Sequence, residues 1–493
     1  MCSRPCAGSM RLTPPFPQDP GAPLTSTQRW TLAVVCAATA MLMLDIAVVN
    51  TALSEIAADL NTGLSGLQWV VDAYTLALAA VVLTAGSLAD RFGRRRLFTI
   101  GLSIFTVTSL VCAAATDIVM LNSARAAQGV GAAIMFAVSL ALLSQAFPNA
   151  QERGKAFAAY GASIGAAFAI GPLVGGALTS GLDWRWIFLV NLPLGLICLA
   201  ITRRSVEESR DPHPRKLDLP GQLTLTAGLF LLVLALLRGN EDGWTSATIV
   251  AELAGAVVFL AAFIALEARV KEPMLPLGLF RNRAFTGAQV AAFAISASFF
   301  AVFIYTTLYL QQILGLSAIE AGLVYLPGTL VMLVVSGATA NLVEKIGAGR
   351  MIAGGLLIVG IGQALLTVAA VDSSWTVFLP GVIVACIGTG IFNPAVSAVA
   401  LSSAPQQMSG LAAGVNDTFR QAGIAVGVAA LGALVPAAHA FGGNAQTYVD
   451  GMQDALWVGA ALCVAAAIAC AALLTDRRER TEAAPAELAL DAA

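Results

Sequence analysis

Residues 86–98 read GSLADRFGRRRLF. Four arginines (Arg91, Arg94, Arg95 and Arg96) fall within six residues, and one carboxylate, Asp90, stands at the entrance. Long apolar runs lie on both sides. Charged residues are only 11% of the chain, so this knot is a polar loop between two segments that avoid water.

Working outward, the whole chain follows that pattern. It has 493 residues, 58% of them hydrophobic, arranged in repeated apolar runs of the length that crosses a bilayer as a helix. A membrane β-barrel would show short alternating segments instead. The class is therefore an all-α polytopic membrane protein. Fourteen spans are expected, at about 30–53, 67–89, 97–116, 118–146, 154–180, 184–202, 221–238, 247–268, 284–311, 319–342, 350–371, 375–400, 409–436 and 454–475. The run from Trp30 is too long for a signal-peptide core and has no convincing cleavage site, so an uncleaved first span is expected. Residues 1–29, with six prolines and no periodicity, read as a disordered tail, and 476–493 as a second polar tail.

The positions of Lys and Arg orient the spans. With the amino terminus in the cytosol, 23 of the 27 basic residues fall on the inner side. Only Arg185 and Arg238 fall outside, and Arg125 and Arg420 lie within spans. Both termini are thus expected in the cytosol, and a multi-pass protein of the cell membrane follows. The formal net charge of −2 carries no message about partners, because location of charge matters more than its sum in such a chain.

The loop at 86–98 has a weaker copy. Aligning Gly86–Arg96 with ANLVEKIGAGR (340–350) sets Asp90 on Glu344, Arg91 on Lys345, Gly93 on Gly347 and Arg96 on Arg350. A second match, 152–171 on 408–427, has nearly the same offset and sets Asp417 opposite Gly161. Two six-helix halves result, 30–202 and 284–475, joined by a segment at 203–283 that carries two inserted spans. Duplicated halves around a midplane cavity are a transporter architecture.

Four stretches in order carry a family resemblance over about 30–475: LDIAVVNTAL (44–53), GSLADRFGRRR (86–96), RAAQGVGAA (125–133) and GASIGAAFAIGPLVGG (161–176). The chain resembles the major facilitator superfamily, and within it the fourteen-span drug:proton antiporters. The resemblance implies proton-coupled export of hydrophobic or cationic small molecules, such as drugs, antibiotics and dyes. A dedicated exporter of one self-made product on the same fold is the alternative. It also implies that the 86–96 loop latches the cytosolic side when the cavity faces out, that Arg125 takes part in proton transfer by pairing with a nearby acid, and that the run at 161–176 marks antiport.

The residues themselves set the chemistry. Asp45 lies about 22 Å into span 1 at 1.5 Å per residue. A carboxylate at that depth costs roughly 2.5–3.5 kcal/mol on insertion scales. It is either a proton-coupling or cation-binding group or a static hydrogen-bond partner of a neighbouring helix. Arg125 keeps its charge and needs a carboxylate or cavity water; Gln128 follows on the same or an adjacent face. Gly161, Gly165, Gly171, Gly175 and Gly176 form a smooth ridge for close helix contact, with Pro172 as a bend, although ordinary Gly-rich packing would look similar. Asn416, Asp417, Arg420 and Gln421 share one face of span 13, where Asp417 and Arg420 can neutralise each other or face a cavity. Asp417 is the second candidate for coupling. Asp72 reads as cavity mouth or interface. Trp69, Phe299, Phe300, Phe303, Tyr305, Tyr309 and Phe392 are candidate walls of an apolar pocket, Phe303 foremost.

The gating residues expected in the loop are Gly86, Asp90, Arg91, Gly93, Arg94 and Arg95. No cofactor, metal or nucleic acid is expected. Of the eight cysteines, Cys2 and Cys6 lie in the tail and the rest in apolar runs, and His213 and His439 are the only histidines. There is no GxxxxGK[ST] loop, so ATP is not the energy source. An enzyme is not indicated, and a monomer binding its substrate, protons and the lipid bilayer is the expected working unit.

Overall fold

A computed structural model describes residues 24–210, 217–340, 342–403, 408–435 and 444–474. The first residues of the amino-terminal tail, the 476–493 tail, Cys2, Cys6, His213, His439 and the side chain of Glu344 lie outside the described set.

Fourteen long helices make up the described chain. They are α1 (Ser26–Asp59), α2 (Leu64–Phe92), α3 (Arg94–Ala113), α4 (Ile118–Ala146), α5 (Ala150–Gly181), α6 (Trp186–Ser205), α7 (Leu219–Asp242) and α8 (Ala247–Glu267). After these come α9 (Arg283–Ile313), α10 (Ala318–Ala340), α11 (Ala348–Leu366), α12 (Leu379–Ser402), α13 (Ser409–Gly432) and α14 (Ala445–Leu473). Each corresponds to one expected span. The largest difference is at α14, which starts at Ala445, nine residues before the expected 454, behind an Asn444 cap. At the start of the chain Ser26–Arg29 is helical rather than tail, because Thr25 and Gln28 form a reciprocal capping box that starts α1 early. Local chemistry sets several other starts. Asp117, Asn149, Asp218, Ser246, Asn282 and Asn444 each accept a backbone N–H in the first turn of the helix that follows.

By length and composition, thirteen helices among the described residues are apolar enough to cross a membrane. The other long helix is α13, where Asn416, Asp417, Arg420 and Gln421 lower the hydropathy. Asn416, Asp417 and Gln421 are buried and Arg420 is half-buried, with α13 packed between α2 and α9. Large apolar side chains elsewhere face outward, including Val107, Val119, Leu196, Val257, Val334 and Ile468. In water such a surface would be a liability; against lipid it is the stable arrangement.

Helices α1–α6 and α9–α14 form two halves, and α7 and α8 pair as a hairpin beside α2 and α13. The even number of crossings puts the described chain ends, at the start of α1 and the end of α14, on one side, termed the near side; the other is the far side. The repeat seen in sequence is also present in backbone geometry. Gly93 between α2 and α3 has φ 108° and ψ 130°, and Gly347 before α11 has φ 95° and ψ 130°. A side chain is strained at such φ values, so glycine is the residue that lets both tight near-side turns form.

Two seams join the halves. In the first, α5 packs on α10 toward the far side. A Cβ on Gly176 would lie 2.4 Å from the Ala318 carbonyl oxygen, and one on Gly322 would lie 2.3 Å from that of Pro172. The Thr329 hydroxyl donates to the Ala169 carbonyl at 2.8 Å, and Ile319 N–H donates to Ser180 Oγ at 3.1 Å. Toward the near side the two helices part: Gly154, Gly161 and Gly337 have open space where a Cβ would stand. The second seam joins α2 and α13, from Gln68 and Val428 at the far side to Leu83 and Gly414 nearer the other. The structure is thus sealed on the far side, with α5 and α10 splayed on the near side.

Candidate functional site

Asp45 and Arg125 face each other inside the first half. Arg125 Nη1 donates to Asp45 Oδ2 at 2.5 Å, and both side chains are fully buried. The other carboxylate oxygen, Asp45 Oδ1, accepts from Gln128 Nε2 at 3.0 Å and from Asn191 Nδ2 at 2.9 Å. Gln128 also donates to Ser109 Oγ at 2.8 Å and accepts from Arg125 Nη1 at 2.7 Å. Arg125 Nε is held by the Val70 carbonyl at 3.0 Å, and the guanidinium lies 4.2 Å from the centre of the Tyr74 ring. Five helices (α1, α2, α3, α4 and α6) therefore converge on one ion pair.

Glycines permit that convergence. A Cβ on Gly129 would sit 2.3 Å from the Tyr74 carbonyl oxygen, and one on Gly131 would sit 2.7 Å from the Phe105 nitrogen. α2 and α3 can therefore approach α4 at backbone distance, as small residues allow in membranes. A buried charge must be paired and hydrogen-bonded to be tolerated, and Asp45 has three donors in this state. The pair is closed in this state, with the Arg125 guanidinium directly on the Asp45 carboxyl group. A proton on Asp45 would remove one of the two charges and free the guanidinium.

A second polar zone lies on α13. Asp417 is buried and its Oδ2 has no hydrogen-bond partner. Arg420 lies 6.0 Å from the centre of the Phe300 ring. The two do not form a direct ion pair, although their charges act on each other. Asp417 lies on α13, which packs on α2 of the first half. Asn416 turns away, donating to Gln289 of α9 at 3.1 Å. It holds α13 to α9 rather than lining the cavity.

Between these zones an aromatic pocket crosses the seam. Phe168 of α5 meets Phe299, Phe300 and Phe303 of α9 and Tyr325 of α10, with Phe378, the residue before α12, closing one side. Phe303 lies 4.2 Å, ring centre to ring centre, from Tyr325, and Phe168 packs edge-on to Phe300. Its free volume is about 20 Å³. That is room for about one water, so the pocket is collapsed in this state.

Asp72 departs from expectation. It is fully buried rather than at a cavity mouth, one turn along the same face of α2 from Gln68, which is buried as well. Gln68 Nε2 donates to the Tyr305 hydroxyl at 2.7 Å, and that hydroxyl donates to the Val428 carbonyl. The glycine ridge of α5 divides in two. Gly171, Gly175 and Gly176 meet Ala47, Val48, Thr51 and Ala318 at distances that only glycine allows, with Pro172 packed against Gly322. Gly165 touches only a Leu333 methyl at 3.5 Å, and Gly161 faces open space.

In the near-side loop, Arg94 pairs with Asp90 at 2.8 Å across one turn. Arg95 N–H and Arg96 N–H each donate to the Glu208 carboxylate at 3.1 Å, and Arg95 Nη1 reaches the Val206 carbonyl at 3.3 Å. Arg91 is exposed over the Phe92 ring, and Gly86 has free space around it. Glu208 thus caps the positive end of α3 and ties the loop to the segment after α6. Asn191, Ser109, Gln68 and Glu208 were not singled out by sequence reasoning. The first three are neutral polar residues in apolar helices, and the fourth is one acid in a charged linker.

The family described as Major Facilitator Superfamily matches residues 35–428. The chain is 37% identical over 417 residues to the multidrug resistance protein Stp of Mycobacterium tuberculosis, spanning 84% of this chain and 77% of that one. It is 37% identical over 468 residues to the puromycin resistance protein pur8 of Streptomyces alboniger, spanning 92% of each. Among solved structures, the human organic anion transporter MFSD10 aligns with a TM-score of 0.62 at 15% identity, covering 90% of this chain and 99% of that one. The peptide transporter POT aligns with a TM-score of 0.65 at 15% identity, covering 90% and 96%. At these identities the structures speak for the fold alone, and they share it. The family match and the sequence relatives lead to one conclusion: the chain belongs to the major facilitator superfamily.

Proposed function

We propose that this protein is a proton-coupled antiporter that exports hydrophobic or cationic small molecules by alternating access, with the near side in the cytosol. Its working unit is one chain, divided into halves at 30–202 and 284–475 with the inserted pair between them. The observation that carries the reading is the buried Asp45–Arg125 pair. A carboxylate held by an arginine, a glutamine and an asparagine across five helices can exchange a proton only by reorganising those helices. Proton binding and helix movement are then one equilibrium.

In the far-sealed state Asp45 is paired with Arg125, the arrangement expected after its proton has left toward the cytosol. Substrate enters from the splayed near side between α5 and α10 and meets Asp417 and the aromatic pocket. An apolar cation suits that combination, with its charge toward Asp417 and its body against Phe300 and Phe303. When the far side opens, substrate leaves and Asp45 takes a proton from outside. The names of the relatives support export of drugs: multidrug resistance, puromycin resistance and a drug efflux pump.

A second reading, export of one self-made product, is favoured by relatives named for methylenomycin resistance and cephamycin export in Streptomyces coelicolor and Amycolatopsis lactamdurans. A resistance and accumulation screen in a host lacking its own pumps, with and without a protonophore, tests both. Protection against several unrelated apolar compounds that the protonophore abolishes supports the first reading. Protection against a single compound supports the second. Protection that survives the protonophore contradicts proton coupling.

A further inference from the structure

Asp72 is unlike the other membrane acid of the first half. Asp45 has three donors, whereas neither carboxylate oxygen of Asp72 has a hydrogen-bond partner, and the residue is 0% exposed. Its surroundings leave no replacement. One turn farther out on the same face, Gln68 engages Tyr305 of α9 and the Val428 carbonyl of α13. The Tyr305 hydroxyl accepts from Gln68 and donates to Val428, so it has nothing left for Asp72. The Tyr448 hydroxyl of α14 donates to the Tyr305 carbonyl at 2.8 Å and braces this layer. Gly432 leaves no room for a side chain: a Cβ there would lie 1.8 Å from Gln68 Nε2. On the inner side, Thr75 spends its hydroxyl on the Val71 and Asp72 carbonyls.

Charge does not compensate either. Among the described residues no ion pair or hydrogen bond reaches the Asp72 carboxyl group, and the titratable groups of the layer beside it are the Tyr305 and Tyr448 hydroxyls. Arg125 is turned to another face of α2, where its Nε binds the Val70 carbonyl and its charge is taken by Asp45. From α7, Phe230 contributes an apolar ring against Trp69. An ionised carboxylate enclosed this way is strongly unfavourable, so the group is neutral while the seal is closed.

The seal and the acid lie on one surface, where α2 meets α9 and α13. Opening the halves on the far side parts the Gln68–Tyr305–Val428 layer and brings water to Asp72. The closed seal then holds a proton that the open seal can lose, and raising the far-side pH shifts the balance toward open. We propose that Asp72 is a gating proton site: the far-side seal closes only over a neutral Asp72, whose proton comes from and returns to the far side. Net proton transfer stays with Asp45, and Asp72 makes the return of the emptied carrier depend on outside acidity. This rests on the proton-antiport reading and on the far side being extracellular.

The test places a cysteine at Val428, which is 1% exposed in the seal and uses its backbone carbonyl in the hydrogen bonds. V428C protein in right-side-out vesicles is treated with an impermeant methanethiosulfonate at pH 6 and pH 9. Rates are corrected for the reagent's own pH dependence on a free thiol. The expected result is modification at least about tenfold faster at pH 9 than at pH 6, and loss of that acceleration once Asp72→Asn is added, the profile then being flat or reversed by proton uptake at Asp45. Asp72→Leu, also neutral, should remove the acceleration equally and serves if the asparagine variant misfolds. An unchanged pH dependence in either folded variant overturns the proposal. Substrate-driven proton flux of the V428C parent is measured on the same preparation. Its absence counts against proton antiport itself, whereas its presence with an unchanged pH profile counts against Asp72 alone.

Discussion

Gly176→Ala isolates the far-side seam with one methyl group. Gly176 lies on the face of α5 that meets α10, and the added Cβ would stand 2.4 Å from the Ala318 carbonyl oxygen, 2.8 Å from its carbon and 2.7 Å from Ile319 Cα. All three are backbone atoms at the start of α10, so no side-chain rotation relieves the clash. Overpacking of this kind costs typically 1–3 kcal/mol. The clash exists only while the halves touch on the far side. A cost of about 2 kcal/mol falls on that state and shifts the far-open to far-closed ratio by roughly 30-fold, at tenfold per 1.4 kcal/mol.

Gly161→Ala is the matched control: same helix and same change, but open space around the site. With the V428C reporter, Gly176→Ala should raise far-side thiol modification by roughly the factor above at a pH where the parent is closed. Gly161→Ala should leave it within about twofold. Export should fall in the first variant, because the carrier no longer returns. Equal labelling of Gly176→Ala and parent would show that the α5–α10 contact does not control the far side, and the account of the seam would be wrong.

Three other outcomes follow from local geometry. Arg125→Ala strands Asp45 without its countercharge and should lower stability by about 3–5 kcal/mol, read as a large drop in the unfolding temperature of detergent-purified protein; Asp45→Asn/Arg125→Ala should recover part of it. Gly93→Ala forces a side chain to φ 108° and sets its Cβ 2.7 Å from a Glu208 oxygen. It should cost about 1–3 kcal/mol and slow transport more than Gly86→Ala, whose site is open. Glu208→Ala removes the acceptor for the Arg95 and Arg96 N–H groups and should lower stability by about 0.5–2 kcal/mol, seen as faster near-side proteolysis of the loop.

Much of this architecture is legible in the amino-acid sequence, because bilayer thickness imposes a length on apolar runs and topogenesis imposes a side on arginines. The repeat was visible at Gly93 and Gly347, since a left-handed turn leaves a glycine behind. Asp45 and Arg125 stood out because charge is costly at those depths. Their pairing did not, for it links residues 80 positions apart and depends on how α1 meets α4. Asn191 and Ser109 are harder still. A short neutral polar side chain in an apolar helix disturbs neither hydropathy nor period, and only the three-dimensional meeting with Asp45 and Gln128 gives it a role. Asp72 shows the limit from the other side: its depth along α2 pointed to a mouth, but it is buried, beside a layer in which Gln68 and Tyr305 meet across 237 residues of chain. Asn416 shares a helical face with Asp417 only loosely, and a partner on α9 decided its direction.

Proton movement across the membrane through Asp45 is the central claim, and a flux measurement tests it most directly. Purified protein in proteoliposomes holding a pH-sensitive dye is given an apolar cationic substrate under an imposed pH gradient. The account predicts substrate-dependent proton flux in the wild type and none in Asp45→Asn, with that variant still folded and still binding substrate. Proton flux at the wild-type rate in Asp45→Asn would contradict it.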